Sequence, residues 1–135
     1  MDFMQRLQGK INEIPGLPAT CVLGYLGVAE SLVLYPLPGS RTVIEYMDGT
    51  KDQQLNYEIA MKSKSSNKIN SALWMIQNEL EQLEKIESQN NSFQFEGIVI
   101  TSKPFINQID DQDWFVFLLN VQANITVLKE EKKNG

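Results

Sequence analysis

Two segments of the chain carry apolar residues at the three- and four-residue spacing of an amphipathic helix. The first covers residues 1–13 and is ended by the prolines and glycine of segment 15–18. The second covers residues 66–87, after a capping residue within segment 65–67. The apolar positions are Phe3, Met4, Leu7 and Ile11 in the first segment and Ile69, Ala72, Leu73, Ile76, Leu80 and Leu83 in the second. The spacing predicts a short N-terminal helix and one long helix.

The middle of the chain alternates apolar and polar residues, which is the period of a strand with one buried face. Residues 42–47 alternate, and so do residues 53–64 after them. Asp48-Gly49 between them is a strong signal of a tight hairpin turn, because both residues readily take positive φ. This segment therefore predicts a strand, a turn and a longer return strand.

Two further strands are predicted towards the C-terminus. Residues 93–101 form the first, which segment 102–104 should end, and residues 105–113 should then connect it to a long strand at 114–127. Segment 19–40 is ambiguous, since its apolar residues are interrupted by glycines and fit either a strand or a helical turn.

The resulting order, α-β-β-β-α-β-β, predicts an α+β fold. We expect two layers: a mostly antiparallel or mixed sheet of four strands or slightly more, covered by the long helix and the short N-terminal helix. A single domain should span residues 1–128, and residues 129–135 should form a charged, flexible tail.

One long helix cannot cover both faces of such a sheet, so one face should be available for contacts with other molecules. That face is rich in amides and poor in charge, which suits subunit packing as well as water. Trp74 falls opposite the apolar stripe of the long helix, where it is either partly buried under a loop or an interface anchor. The candidate interface residues are Glu58, Lys62, Lys64, Trp74, Asn120, Gln122 and Asn124. The lysines, with Lys68, are either a solvated strand end or a contact for an acidic partner or passing DNA.

Charge and composition narrow the function. The chain has 12 basic and 17 acidic residues, giving a net charge of -5, whereas a dedicated nucleic-acid binder normally has a basic excess. It has no histidine and a single cysteine, Cys21, in an apolar setting that indicates a buried side chain. Zinc sites of histidine and cysteine, Ser-His-Asp triads and internal disulfides are therefore excluded, and we expect neither an enzyme nor a cofactor.

Three further features of the sequence give little information about function. Asp110, Asp111 and Asp113 could hold a cation but lack the spacing of a known calcium loop, so a solvated turn is favoured. The N-terminus has no basic and apolar signal sequence, and no apolar run is long enough to cross a membrane. Together with the single cysteine, this favours synthesis in a reducing cytoplasm.

The chain resembles the tail terminator family among the minor capsid proteins of long-tailed bacteriophages. The resemblance is carried by the N-terminal helix, by the strand, turn and strand of residues 46–51 and 55–59, and by the long helix followed by residues 95–100 and 115–121. It covers nearly the whole chain and includes no catalytic motif.

The resemblance implies a structural virion protein at the head–tail junction, made in the bacterial cytoplasm. Terminators form hexameric rings that cap the tail tube, stop its growth and meet the head connector or stopper, while DNA passes through the lumen. Two alternatives remain open at the level of sequence. One is another connector component, such as a stopper or a tail-completion protein, and the other is a monomeric adaptor that binds a protein through a free strand edge.

Overall fold

The computed structural model describes residues 2–88, 91–109 and 113–128. Its elements, in chain order, are α1 (Phe3–Asn12), β1 (Cys21–Leu23), β2 (Ser31–Pro36), β3 (Arg41–Glu45), β4 (Lys51–Ser63), α2 (Ser66–Glu81), β5 (Phe93–Ile109) and β6 (Phe115–Val127). Within these residues the six strands form one sheet in the order β1-β2-β4-β6-β5, with β3 paired to β4 beyond the end of β2. Only β1 and β2 are parallel. The predicted α+β class is confirmed, with a mixed, mostly antiparallel sheet.

The ambiguous segment 19–40 contains two strands. β1 and β2 run parallel, joined by the short loop 24–30, which begins at Gly24 with a φ of +126°. β2 and β3 both run antiparallel to β4, one after the other, so they form a single interrupted strand along its edge. The interruption, residues 37–40, stays attached to β4 because the Leu37 amide donates to the Asn56 carbonyl at 2.8 Å.

The hydrophobic core lies on one face of the sheet, beneath both helices. The alternation along β4 and β6 places the odd-numbered residues of both strands on this face, as predicted. The helix residues of the core are Phe3, Leu7 and Ile11 from α1 and Ile69, Ala72, Leu73, Ile76 and Leu80 from α2. The hydroxyl of Ser65 accepts from the Lys68 amide and caps α2. Because both helices share one side, the opposite face of the sheet has no helix over it among the described residues.

α2 ends at Glu81, so the prediction that the helix reaches residue 87 is wrong. Its last turn has no basic residue and carries carboxylates, which oppose the helix dipole. The segment after α2 nevertheless packs against the core, with Leu83 partly buried and Ile86 buried. The apolar spacing continues to Leu83 because burial continues beyond the end of the helix.

β5 is longer than predicted. Segment 102–104 does not end it, and its backbone pairs with β6 as far as Ile109. Pro104 is accommodated because β5 is an edge strand, where a missing N–H costs no ladder hydrogen bond, and the register shifts around it absorb the irregularity. The predicted connection from 105 is therefore wrong for residues 105–109. The predicted tail, 129–135, lies outside the described residues.

The β3–β4 hairpin has a three-residue turn. The Gly49 amide donates to the Tyr46 carbonyl at 3.0 Å and the Tyr46 amide to the Thr50 carbonyl at 2.8 Å. Only Gly49 has positive φ, at +89°, so the expectation of positive φ at Asp48 is wrong. Asp48 contributes through its side chain, which accepts from the Thr50 amide and hydroxyl. The geometry is a type I turn followed by a left-handed glycine.

Replacing Gly49 with alanine is expected to lower the free energy of unfolding by roughly 1–2 kcal/mol, since a Cβ is strained in the left-handed region. Urea unfolding followed by circular dichroism measures the loss. Gly49→Asn is the matched control and should lose less, because asparagine tolerates this conformation. Equal losses in the two variants would contradict the assignment.

Cys21 links β1 to the first helix. Asn12 accepts from the Cys21 amide at 2.8 Å and donates to its carbonyl at 2.9 Å, so α1 is fixed against the sheet edge. The thiol is fully buried, as predicted, and burial raises its pKa from 9.0 to about 12. The folded chain therefore keeps the thiol neutral over a pH range in which the unfolded chain ionises it.

We expect alkaline destabilisation between pH 9 and about pH 12 from this group. The unfolded state binds fewer protons there, so the free energy of unfolding falls by up to about 1.4 kcal/mol per pH unit. Burial likewise raises the pKa of Tyr57 to about 12, which adds to the fall above pH 10. Urea titrations at pH 8, 9 and 10 should show a flatter dependence in Cys21→Ala than in the wild type. If the free energy of unfolding falls equally with pH in both proteins, the Cys21 thiol is not a cause of the alkaline destabilisation.

Candidate interaction surface

The face of the sheet opposite the helices carries most of the predicted interface residues. We call it the open face; it comprises the even-numbered residues 52–62 of β4 and 116–126 of β6, with their cross-strand neighbours on β2, β3 and β5. The register pairs Glu58 with Asn120, Asn56 with Gln122, Gln54 with Asn124 and Lys62 with Val116. Glu58, Lys62, Asn120, Gln122 and Asn124 therefore lie on one continuous surface, as their parity in the sequence predicted.

The centre of the open face is held by polar side chains. Gln122 donates from its amide to the Asn56 side-chain oxygen at 3.2 Å. The Tyr35 hydroxyl donates to the carboxylate of Glu58, which is largely buried. Burial and, next, this hydrogen bond raise the pKa of Tyr35. The Glu58 carboxylate is therefore already hydrogen-bonded within its own chain. The side-chain oxygen of Asn120, in contrast, is buried and accepts no hydrogen bond from any described residue.

One end of the open face is basic. The ammonium groups of Lys62 and Lys64 lie 5.0 and 5.1 Å from the centre of the Trp114 ring, the geometry of a cation–π contact. Lys62 also donates to the Gly27 carbonyl, so the β1–β2 loop reaches this end of the sheet. Trp114 thus belongs with the two lysines, although only its parity on the long strand indicated this.

Lys68 separates from the other lysines. It forms an ion pair of 2.8 Å with Glu30, whose other oxygen accepts from the Ser63 hydroxyl. The hydrogen bonds from Lys68 and Ser63 lower the pKa of Glu30. The three lysines therefore do not form one cluster. Lys62 and Lys64 lie together at the end of the open face, and Lys68 links the β1–β2 loop to the start of α2.

The other end of the open face is acidic, a feature that sequence reasoning missed. The hydroxyl of Thr126 lies 2.8 Å from a carboxylate oxygen of Asp52 and 3.1 Å from one of Glu96, and the Tyr46 hydroxyl donates to Asp52 at 2.8 Å. Because one hydroxyl carries one proton, Thr126 satisfies only one of the two carboxylates at a time. Together with Val43 these residues line a shallow depression of about 430 Å³. The two acids meet through the sheet register, which no local motif reveals.

Trp74 does not belong to this surface. It lies on α2, in the helix layer, and 44% of its surface is exposed. The predicted interface residues therefore occupy two separate parts of the protein. Trp74 lies on the helix side, and the other six lie on or beside the open face.

The described residues contain no group of three or more histidine, cysteine, aspartate or glutamate side chains arranged to hold a metal ion. Of the predicted acidic cluster only Asp113 is described, with a φ of +65°, and residues 110–112 lie outside the described part. Neither α1 nor α2 has the length and apolar character required to cross a bilayer.

The open face, basic at one end and acidic at the other, suits contacts with other molecules. The comparisons with known proteins define the class of protein. The family model described as bacteriophage tail terminator protein matches residues 7–127, and the chain belongs to this family. The resemblance stated from the sequence is confirmed.

A similar fold occurs in a solved particle. A chain in the virion of a native gene transfer agent (GTA) particle superposes with a TM-score of 0.53 and is 8% identical, over 89% of this chain and 84% of that chain. No curated protein sequence matches this chain. The family membership makes the chain a structural component of a phage tail.

Proposed function

We propose that this protein closes into a ring of identical subunits, with six as the expected number, which caps the tail tube and stops its polymerisation. The observation that carries the proposal is the tail terminator match across residues 7–127, which covers the whole sheet and both helices except the first turn of α1. The same match favours a terminator over a stopper, a tail-completion protein or a monomeric adaptor. The protein works without chemistry of its own, as a minor component at the head–tail junction of the virion, after synthesis in the host cytoplasm.

A ring of this kind offers separate surfaces to three neighbours. Copies of the chain meet around the ring, the tail-tube protein meets one side of it, and the head connector or stopper meets the other. The open face, with Glu58, Lys62, Lys64, Asn120, Gln122 and Asn124, and the helix layer, with Trp74, are distinct surfaces that could serve different neighbours. The similar chain in the GTA virion supports a particle role for this fold.

DNA passes through such a ring during packaging and ejection. A net charge of -5 suits this role, because an acidic wall gains no free energy from the release of DNA counterions and therefore does not retain the duplex. We accordingly expect no stable complex between the purified protein and DNA at physiological salt.

Mass and shape in solution test the ring. Sedimentation velocity and electron microscopy of the purified chain, from micromolar to millimolar concentrations, should detect closed annular particles of about six subunits. A distribution of open, growing filaments would contradict closure. A strictly monomeric chain that also forms no ring on tail-tube ends would contradict the proposal as a whole.

A further inference from the structure

Among the described residues the sheet has three edge strands, β1, β3 and β5. The outer backbone groups of Cys21 in β1 are hydrogen-bonded by Asn12, whereas β3 and the first residues of β5 lie at the acidic end of the sheet, on opposite sides of it. β3 pairs with β4 only, and β5 pairs with β6 only, so each presents a row of unpaired backbone groups. Such an edge is a ready template for another strand. All five residues of β3 are exposed, and four large apolar side chains follow closely along the hairpin. These are Val43, Ile44, Tyr46 and Met47, each at least 45% exposed.

This hairpin is held by hydrogen bonds within its own chain although its apolar side chains are exposed. Its turn is closed by the backbone hydrogen bonds at Tyr46 and by the Asp48 side chain. Arg41 is held to Gln54 at 3.1 Å and Tyr46 to Asp52 at 2.8 Å. An apolar edge strand that is already ordered pays little entropy on pairing with a partner.

The strand directions restrict which partner fits. β3 is antiparallel to β4, β4 to β6, and β6 to β5, so β3 and β5 run in opposite directions. Rotating a second copy about an axis along the strands preserves these directions. β3 of one copy therefore meets β5 of the next as an antiparallel pair, and repetition of that contact is the head-to-tail arrangement that closes into a ring.

The register adds charge complementarity. One row across the sheet runs from Arg41 through Gln54 and Asn124 to Gly97, and Glu96 is the bulged residue beside Gly97. Arg41 and Glu96 are both exposed and have no ion-pair partner in the described residues. Opposite charges thus stand at opposite ends of the same row, and Asp52 reinforces the negative charge near Glu96 through their shared contact with Thr126.

The far part of β5 is poorly suited to pairing, since Pro104 has no N–H and three register shifts fall between residues 100 and 108. The near part, which includes residues 93–97, contains only the bulge at Glu96. It lies level with β3 across the sheet.

We propose that β3 of one copy pairs antiparallel with residues 93–97 of a second copy, so that Arg41 of one copy faces Glu96 of the next and the sheet continues from subunit to subunit. This contact rests on the proposed ring and specifies which edges close it. Backbone hydrogen bonds supply the adhesion, the apolar side chains of the hairpin gain burial, and the charge pair sets the register.

Disulfide trapping tests the contact directly. Ile44 and Gln94 end the next row, Ile44–Asp52–Thr126–Gln94, and both are exposed. Within one chain they are three strand spacings apart, about 14–15 Å, which is too far for a disulfide. Oxidised Ile44→Cys/Gln94→Cys should therefore give a ladder of covalent multimers on a non-reducing gel, while each single-cysteine variant gives none. Buried Cys21 is shared by all variants and cancels in the comparison.

Charge reversal provides a second readout. Arg41→Glu and Glu96→Arg should each weaken self-association about tenfold or more, because like charges then face one another, and the double variant should restore most of it.

Failure of this contact is distinguishable from failure of the ring. If the wild type assembles but no ladder forms and the reversals change nothing, β3 binds another occupant, such as the tail-tube protein, and the contact proposed here is wrong. If the wild type is monomeric in solution, forms no ring on tail-tube ends and gives no ladder as the double-cysteine variant, ring and contact are both overturned.

Discussion

Replacing Leu73 with alanine is expected to lower the free energy of unfolding by about 2–5 kcal/mol. Leu73 lies in the middle of α2, is fully buried and belongs to the core between α2 and the sheet. Truncation removes its contacts and leaves a cavity between rigid elements. That loss is a large fraction of the roughly 5–15 kcal/mol that stabilises an ordinary domain, so assembly should fall together with the folded population.

The neighbouring residue supplies the matched control. Trp74→Ala changes the next position of the same helix, but its side chain is 44% exposed, so we expect the chain to remain folded with a loss of about 1–2 kcal/mol. Self-assembly or tail-tube capping should nevertheless be impaired if Trp74 is an interface anchor. Urea unfolding by circular dichroism, which does not depend on tryptophan fluorescence, and sedimentation velocity separate the two effects. A folded Trp74→Ala variant with normal assembly and capping would remove Trp74 from the interface.

Reversing the charge of Lys62 and Lys64 together is expected to weaken assembly about tenfold or more while leaving the fold intact. Both ammonium groups lie over the Trp114 ring, so the reversal also removes two cation–π contacts within the chain. Each such exposed contact contributes about 0.5–1 kcal/mol to the free energy of unfolding. The weaker assembly comes from placing two negative charges at the basic end of the open face, if these lysines contact an acidic partner rather than forming a solvated strand end.

The control for this double reversal is Lys10→Glu/Lys85→Glu, which changes the net charge equally. These lysines lie on the helix side and after α2, in surface ion pairs with Glu13 and Glu87 that contribute little to stability. Sedimentation equilibrium of both double variants gives their association constants. If the two reversals weaken assembly equally, the effect belongs to overall charge and the basic end of the open face is not an interface.

The central strands could be predicted because their environment is one-sided. Helices cover one face of β4 and β6 and none of the described helices covers the other, so burial follows a period of two along most of β6. In the middle of β4 both faces are buried, and there the alternation of residue types rather than of burial gave the correct face. The same parity correctly placed Glu58, Lys62, Asn120, Gln122 and Asn124 on a common face.

Edge strands and connections lack that constraint. Pro104 reads as a strand end, yet an edge strand tolerates it, and Gly24 and Gly27 obscure the parallel pair of short strands before β3. Leu83 fits the helical spacing although it lies beyond the end of α2, because it packs against the core from the segment that follows the helix. The spacing of apolar residues indicates which side chains are buried, but it does not determine whether the backbone that carries them is helical.

The acidic end of the open face was not predictable, since Asp52 and Glu96 come together only through the pairing of β4 and β5 with β6. The occupation of Glu58 by Tyr35 likewise depends on the register between β2 and β4. Single residues of the surface follow from parity, whereas its charge distribution needs the complete sheet.

The most direct test of the proposed function is the growth of tail tubes in the presence of this protein. The tail-tube protein of the same phage is polymerised with and without the purified chain, and tube lengths and tube ends are recorded by electron microscopy. We predict that the chain forms annular density at tube ends and that capped tubes stop elongating when more tube protein is added. Tubes that keep elongating at the same rate, with no additional density at their ends, would contradict the account.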